Sequence, residues 1–150
     1  MKIIEILSGM LTPVIAVVTA YIMIQQYKIE KRNYRFQLFT NRHEIYTSTM
    51  AFIASVVEDA NSSNEGLSKL MFKTRDVNIF FEDDISEYIS KLYKRGNKLV
   101  LCNKIMSNDN ESEDKKNKYA EESLELGLWF ATQFEECKEK FSSYLDFRQP

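Results

Sequence analysis

Nineteen consecutive residues without a formal charge, Ile6 to Ile24, are followed at once by Lys28, Lys31, Arg32 and Arg35 against a single Glu30. At 1.5 Å per residue such a run spans about 28 Å as a helix, close to the ~30 Å of a bilayer's hydrocarbon core. Pro13 is tolerated in a membrane helix, and the Leu, Ile and Val side chains of the run favour insertion. A basic flank just downstream is where a stop-transfer signal belongs. By the positive-inside rule, it assigns everything after it to the cytoplasm and the N-terminus to the outside of a bacterial inner membrane. A cleaved secretory signal is the competing reading, with Lys2 as its basic start and Val18-Thr19-Ala20 as a small-residue cut site. Against it, the apolar run continues through Tyr21, Ile22, Met23 and Ile24. The expectation is therefore a transmembrane helix over residues 1–27 and a cytoplasmic domain over 28–150.

Within the span, Glu5, Ser8, Thr12 and Thr19 fall on one helical stripe at steps of 3, 4 and 7, and Gly9, Ala16 and Ala20 add small residues. The stripe either packs membrane helices together or lines a pore in a symmetric bundle, or it reflects only short polar residues near a helix end.

Beyond the span the helical pattern continues. Phe36, Phe39, His43, Tyr46, Met50, Ile53 and Val57 recur at alternating steps of 3 and 4, with Leu38, Ile45, Phe52 and Val56 broadening the apolar face, and no Pro or Gly interrupts residues 14–65. The spacing predicts one long helix that leaves the membrane and becomes the first helix of the domain, coupling the two rigidly. Asn61-Ser62-Ser63-Asn64-Glu65-Gly66 ends it with turn-forming residues. Leu67 to Phe72 forms a short segment, and Val77 to Phe81 reads as helix, loop or a single strand. Asp83 and Asp84 are expected to cap a helix that carries Ile85, Tyr88, Ile89, Leu92, Leu99 and Met106 inward as far as Ser107, with Gly96 as its weak point. The polar run 107–117 reads as a loop. A last helix, from about Lys118 to Phe147, is expected to bury Leu124, Leu128, Ala131, Phe134, Phe141 and Leu145. The fold class is all-α: one N-terminal transmembrane helix continuing into a cytoplasmic helical bundle.

Charge bounds the function. Twenty Lys+Arg against 22 Asp+Glu leave a net charge of −2, which argues against a duplex nucleic-acid binder. The single histidine, His43, lies on the apolar stripe and reads as a core residue. Cys102 and Cys137 have no ligand-type neighbours, so neither a metal site nor a cofactor is predicted, and they read as reduced, partly buried thiols. The four glycines are isolated, and no serine sits in a nucleophile-elbow context. The expected class is therefore not an enzyme. Basic blocks remain: Lys91, Lys94, Arg95 and Lys98 share one helical face beside Tyr88 and Tyr93, with Lys73 and Arg75 in the preceding segment and Arg42 on the long helix. These seven are the candidate anion-binding residues, and the alternative for them is an ordinary solvated face.

The pattern Phe36-x-Leu38-Phe39-x-x-Arg42-x-x-x-Tyr46, together with Trp129-Phe130 and Phe141-x-x-Tyr144-Leu145, resembles small bacterial one-helix membrane proteins. The whole-chain plan also resembles the small membrane-anchored effectors of type III CRISPR defence. That second resemblance implies a cyclic tetra-adenylate or similar cyclic oligoadenylate ligand, a homo-oligomer (a tetramer for such a ligand), and action on the lipid bilayer. A phage or prophage membrane protein, and an anchored scaffold that recruits a protein partner, are the alternatives without a nucleotide.

Overall fold

The computed structural model describes residues 2–58 and 63–146, with side chains from residue 13 in the first stretch and from residue 64 in the second. It is all-helical. The helices are α1 (Lys2–Glu58), α2 (Ser63–Lys73), α3 (Val77–Phe80), α4 (Asp83–Met106) and α5 (Glu113–Ser142). The chain divides into two units, Met1–Leu38 and Phe39–Pro150.

In the first unit, the large apolar side chains from Val14 to Ile29 are exposed. Among the described residues no helix is long and apolar enough to cross a membrane. Residues 6–12 of the apolar run lie outside those whose side chains are described, and 13–24 alone cover about 18 Å. Glu5, Ser8 and Thr12 of the polar stripe likewise lie outside the described side chains, and Thr19 is exposed.

The second unit is built on the part of α1 after Leu38. Its buried positions are Ile45, Thr49, Phe52, Ile53 and Val56. Ile45, Phe52, Ile53 and Val56 all belong to the apolar face expected from the sequence, Tyr46 and Met50 pack beside them half-buried, and Thr49 is the addition, so the face is centred about one residue before the expected series. Phe36 and Val57 are 62% and 44% exposed, and His43 is exposed rather than in the core, its ring stacked on Phe39 at 5.8 Å. Thr49 alone of the buried set lies outside the expected face, because it is polar. Thr49 is fully buried and satisfies its hydroxyl by donating to the Ile45 carbonyl at 2.8 Å, a bond that removes the penalty of burying it.

Phe52 is the residue around which the other helices assemble. Its ring meets Phe130 of α5 edge-on, with centroids 5.7 Å apart. On its other sides stand two glycines. A Cβ on Gly66 of α2 would come within 2.8 Å of Ser55 Oγ and 3.3 Å of the Phe52 ring, and one on Gly96 of α4 within 2.8 Å of both Phe52 and Leu67. Gly96, expected as a weak point, is thus the position where α4 closes on α1 and α2. Its helix-propensity cost is offset by packing that a side chain would prevent.

α2 begins at Ser63, so Asn64, Glu65 and Gly66 lie inside a helix and not in the expected turn, whose residues 61–62 fall outside the described part. The open segment after it resolves as the single turn α3. α4 matches its expected span, although its N-cap is Glu82, with Asp83 and Asp84 in the first turn, where they complement the helix dipole. α5 starts at Glu113, ahead of the expected Lys118, because Ser112 takes the N-cap and Glu113 and Asp114 fill the acidic first turn. Its inward face is Leu126, Phe130, Gln133, Cys137 and Phe141, while Leu124 and Leu128 are 66% and 64% exposed and Ala131 is also exposed. Gln133 is buried in this face although polar, as Thr49 is in that of α1.

Two glycine substitutions separate these roles. Gly96→Ala should lower stability by about 1–3 kcal/mol despite its better helix propensity, because the added methyl overpacks Phe52 and Leu67. Gly127→Ala, where an added Cβ meets nothing within 4 Å, should raise stability by about 0.5–1 kcal/mol. Equilibrium urea unfolding followed by circular dichroism measures both.

Candidate functional site

Arg42 occupies the junction of three elements. Its Nε donates to the Phe80 carbonyl at the end of α3 at 2.8 Å, and Nη1 donates to the Tyr144 carbonyl just past α5 at 3.3 Å. Both acceptors belong to helix termini that have run out of intrahelical donors, and a guanidinium is suited to satisfy them. The same group lies 5.7 Å from the ring centre of Phe81 and 5.3 Å from that of Tyr144. Phe81 meets Phe141 and Tyr144 edge-on, each at 5.2 Å, and the Tyr144 hydroxyl donates to Asp84 Oδ1 at 2.8 Å. Arg42, expected as an anion ligand, is engaged here as a staple that fastens α1 to the end of α3 and the end of α5. Its specific partners lie 38 and 102 residues away in the chain, beyond the reach of any local pattern.

The remaining basic residues divide into two groups. Lys73 pairs with Glu44 of α1 at 2.6 Å, and Arg75 pairs with its neighbour Asp76 at 3.3 Å. On α4, Lys91, Arg95 and Lys98 face α5. Lys98 pairs with Glu122, Lys91 approaches Glu136 at 3.9 Å, and the guanidinium of Arg95 stands 4.1 Å from the Trp129 ring centre, with Lys91 at 5.3 Å from the same ring. Lys94 is exposed. Tyr93 lies about 160° round the helix from this group at 3.6 residues per turn, in a groove that it shares with Arg75. Tyr88 is buried, and its hydroxyl donates to the Gln133 carbonyl at 3.4 Å. The fold therefore brings Lys91, Lys94, Arg95 and Lys98 together, leaves Lys73 and Arg75 elsewhere, and lays two α5 carboxylates against the basic face. Glu122 and Glu136 could not be foreseen at this face, because their approach depends on how α5 packs along α4.

Sequence reasoning also missed Phe72. It is 72% exposed and stands between two shallow apolar grooves, one over Ala51 and Phe52 and one over Val77, Ile89 and Tyr93. The adjacent apolar pair Met71-Phe72 ahead of Lys73 was its one local signal, because two consecutive helical residues cannot both face the core.

Burial raises the titration of both thiols. Cys137 is pushed up to about 12, and Cys102 is raised by burial and by the neighbouring Glu122 carboxylate, which accepts its S–H at 3.7 Å. Such thiols are poor nucleophiles at neutral pH. Tyr144 is pushed up to about 12 by burial and by its hydrogen bond to Asp84. Among the described residues no group of His, Cys, Asp and Glu is placed to hold a metal ion. Comparison with protein-family models, with curated proteins and with solved structures finds no match.

Two outcomes follow from this geometry. Arg42→Ala should cost about 3 kcal/mol of folding stability in urea unfolding, since it orphans two carbonyls and uncovers two rings, whereas Lys94→Ala should stay within about 0.5 kcal/mol. Alkali should also unfold the chain. Cys137 and Tyr144 hold their protons more tightly in the folded state than at their ordinary values of 9.0 and 10.0. Stability should accordingly be intact below pH 9 and fall as the pH rises from there through 12, as melting temperatures across that range would show.

Proposed function

We propose that this chain is a single-span membrane protein whose helical domain, Phe39–Pro150, works by binding and not by catalysis. One observation carries the reading. Val14, Ile15, Val17, Val18, Tyr21, Ile22, Met23 and Ile24 are all exposed, and at 3.6 residues per turn they surround α1 on every side. A helix that is apolar all round belongs inside a large core or a bilayer, while one meant for a single partner helix keeps a polar face. The uncharged sequence extends back to Ile6, which brings the stretch to bilayer length, and the basic residues after it favour the domain on the cytoplasmic side.

A ligand-controlled form of this reading is favoured by the basic face itself, where Lys91, Lys94, Arg95 and Lys98 gather around an exposed edge of the α4–α5 seam with Trp129 beside them. In that form the chain is an antiviral defence effector. A cyclic oligoadenylate bridges the domains of a homo-oligomer and biases one arrangement of its membrane helices. The competing ion pairs with Glu122 and Glu136 set a cost that such a ligand has to offset.

The full chain expressed in bacteria should stay in the membrane pellet after alkaline carbonate, and a reporter joined after Pro150 should be active only in the cytoplasm. Release by carbonate overturns the anchor. Labelled cyclic tetra-adenylate should bind the detergent-solubilised chain, and Arg95→Ala should weaken binding tenfold or more, which corresponds to 1.4 kcal/mol per decade. A chain that remains in the membrane but binds no cyclic oligoadenylate is instead an anchored scaffold for a protein partner.

A further inference from the structure

The geometry points to an anionic-phospholipid site on α1 between Tyr27 and Phe36, an inference that rests on the membrane reading above. Lys28, Lys31, Arg32 and Arg35 are exposed, and none of them is in an ion pair among the described residues. Their spacing of 3, 1 and 3 places all four within about 100° of the helix circumference, over about 10 Å of its length. The sides of this stripe are apolar. Tyr27 and Tyr34, 66% and 67% exposed, flank it on one edge, and Ile29 and Phe36, 56% and 62% exposed, flank it on the other. Gln26, Glu30, Asn33 and Gln37 fall on the opposite face.

Each part of that arrangement matches the chemistry of a headgroup layer. Tyrosines prefer the boundary where one end of the side chain is apolar and the other wet. Lysine and arginine on a flexible stem reach phosphates while their methylenes lie along acyl chains. Four cations on one face converge on one or two neighbouring phosphates, whereas cations spread round the helix would each meet a different lipid. A charge-neutral headgroup such as phosphatidylcholine offers a phosphate but cancels it with its own ammonium. The occupant fitted here carries net negative charge, as phosphatidylglycerol does, and should strengthen contact by about fivefold per cation, the factor equivalent to ~1 kcal/mol per surface Lys or Arg.

The test uses the full chain in detergent, titrated with phosphatidylglycerol or phosphatidylcholine and read by native mass spectrometry of the lipid-bound species. Phosphatidylglycerol should be preferred at least tenfold. Lys31→Gln should lower its affinity about fivefold. The double change Lys31→Gln with Asn33→Lys keeps the net charge but moves one cation to the far face, and it should show the same loss. Circular dichroism confirms that each variant is as helical as the parent. Equal binding of the two lipids overturns the site, and full affinity in the charge-preserving variant overturns the stripe in favour of bulk charge. A chain released by carbonate overturns the anchor and this site together, whereas a chain retained in the membrane without lipid preference overturns the site alone.

Discussion

The packing of the helical unit depends on the fit of one aromatic ring into a space that two glycines leave open. Phe52 projects from α1 towards Gly66 of α2, Gly96 of α4 and Phe130 of α5, so a single side chain touches every long element of the unit. Close-packed interiors tolerate neither a void nor a surplus methyl at such a point. The glycines are needed not for unusual backbone angles, since no glycine or other residue among those described has a positive φ, but for the approach distance they permit. Once α2 and α4 are held at that distance, Leu67, Leu70, Leu92 and Leu99 become fully or almost fully buried around the ring.

Arg42 does for the ends of the helices what Phe52 does for their middles. Helix termini leave carbonyls without donors, and burying them unpaired is expensive. One guanidinium supplies donors to two of these ends while it stands over the rings of Phe81 and Tyr144. This is a structural use of a residue type often found at anion sites. The four α4 cations differ, because they line a seam open to solvent and are only partly offset by Glu122 and Glu136.

The two units answer to different solvents. From Phe39 onward most large apolar side chains turn inward around one core while a minority such as Phe72 and Leu124 stay exposed, the pattern of a domain in water. Before that point the large apolar side chains of α1 from Val14 to Ile29 are exposed and point in all directions, a pattern that water penalises and hydrocarbon accepts. Lys28 to Arg35 mark the change between the two regimes, where a membrane surface, with its phosphates and wet apolar boundary, fits both kinds of side chain at once.

Sequence alone was enough to determine that the chain is helical, roughly where α4 lies, and that a long uninterrupted helix carries the apolar run into the domain, because the 3.6-residue period and the absence of Pro and Gly from 14 to 65 are local properties. It was not enough to show which row of the broad apolar face of α1 sits deepest. The series through Phe39, His43 and Met50 and the adjacent row of Ile45, Phe52 and Val56 both belong to the apolar face expected from the sequence and have the same period, and periodicity fixes the spacing round a helix but not which of two adjacent rows turns furthest inward. Thr49 and Gln133 are buried although polar, and only a hydrogen bond to the preceding turn or contact with a neighbouring helix shows that such residues can be buried. The candidate site divided in the same way. That Lys91, Lys94, Arg95 and Lys98 share a face follows from their spacing, whereas Trp129, Glu122 and Glu136 beside them, and the diversion of Arg42 to helix ends as distant as Tyr144, depend on contacts between residues far apart in the chain, which tertiary packing alone decides.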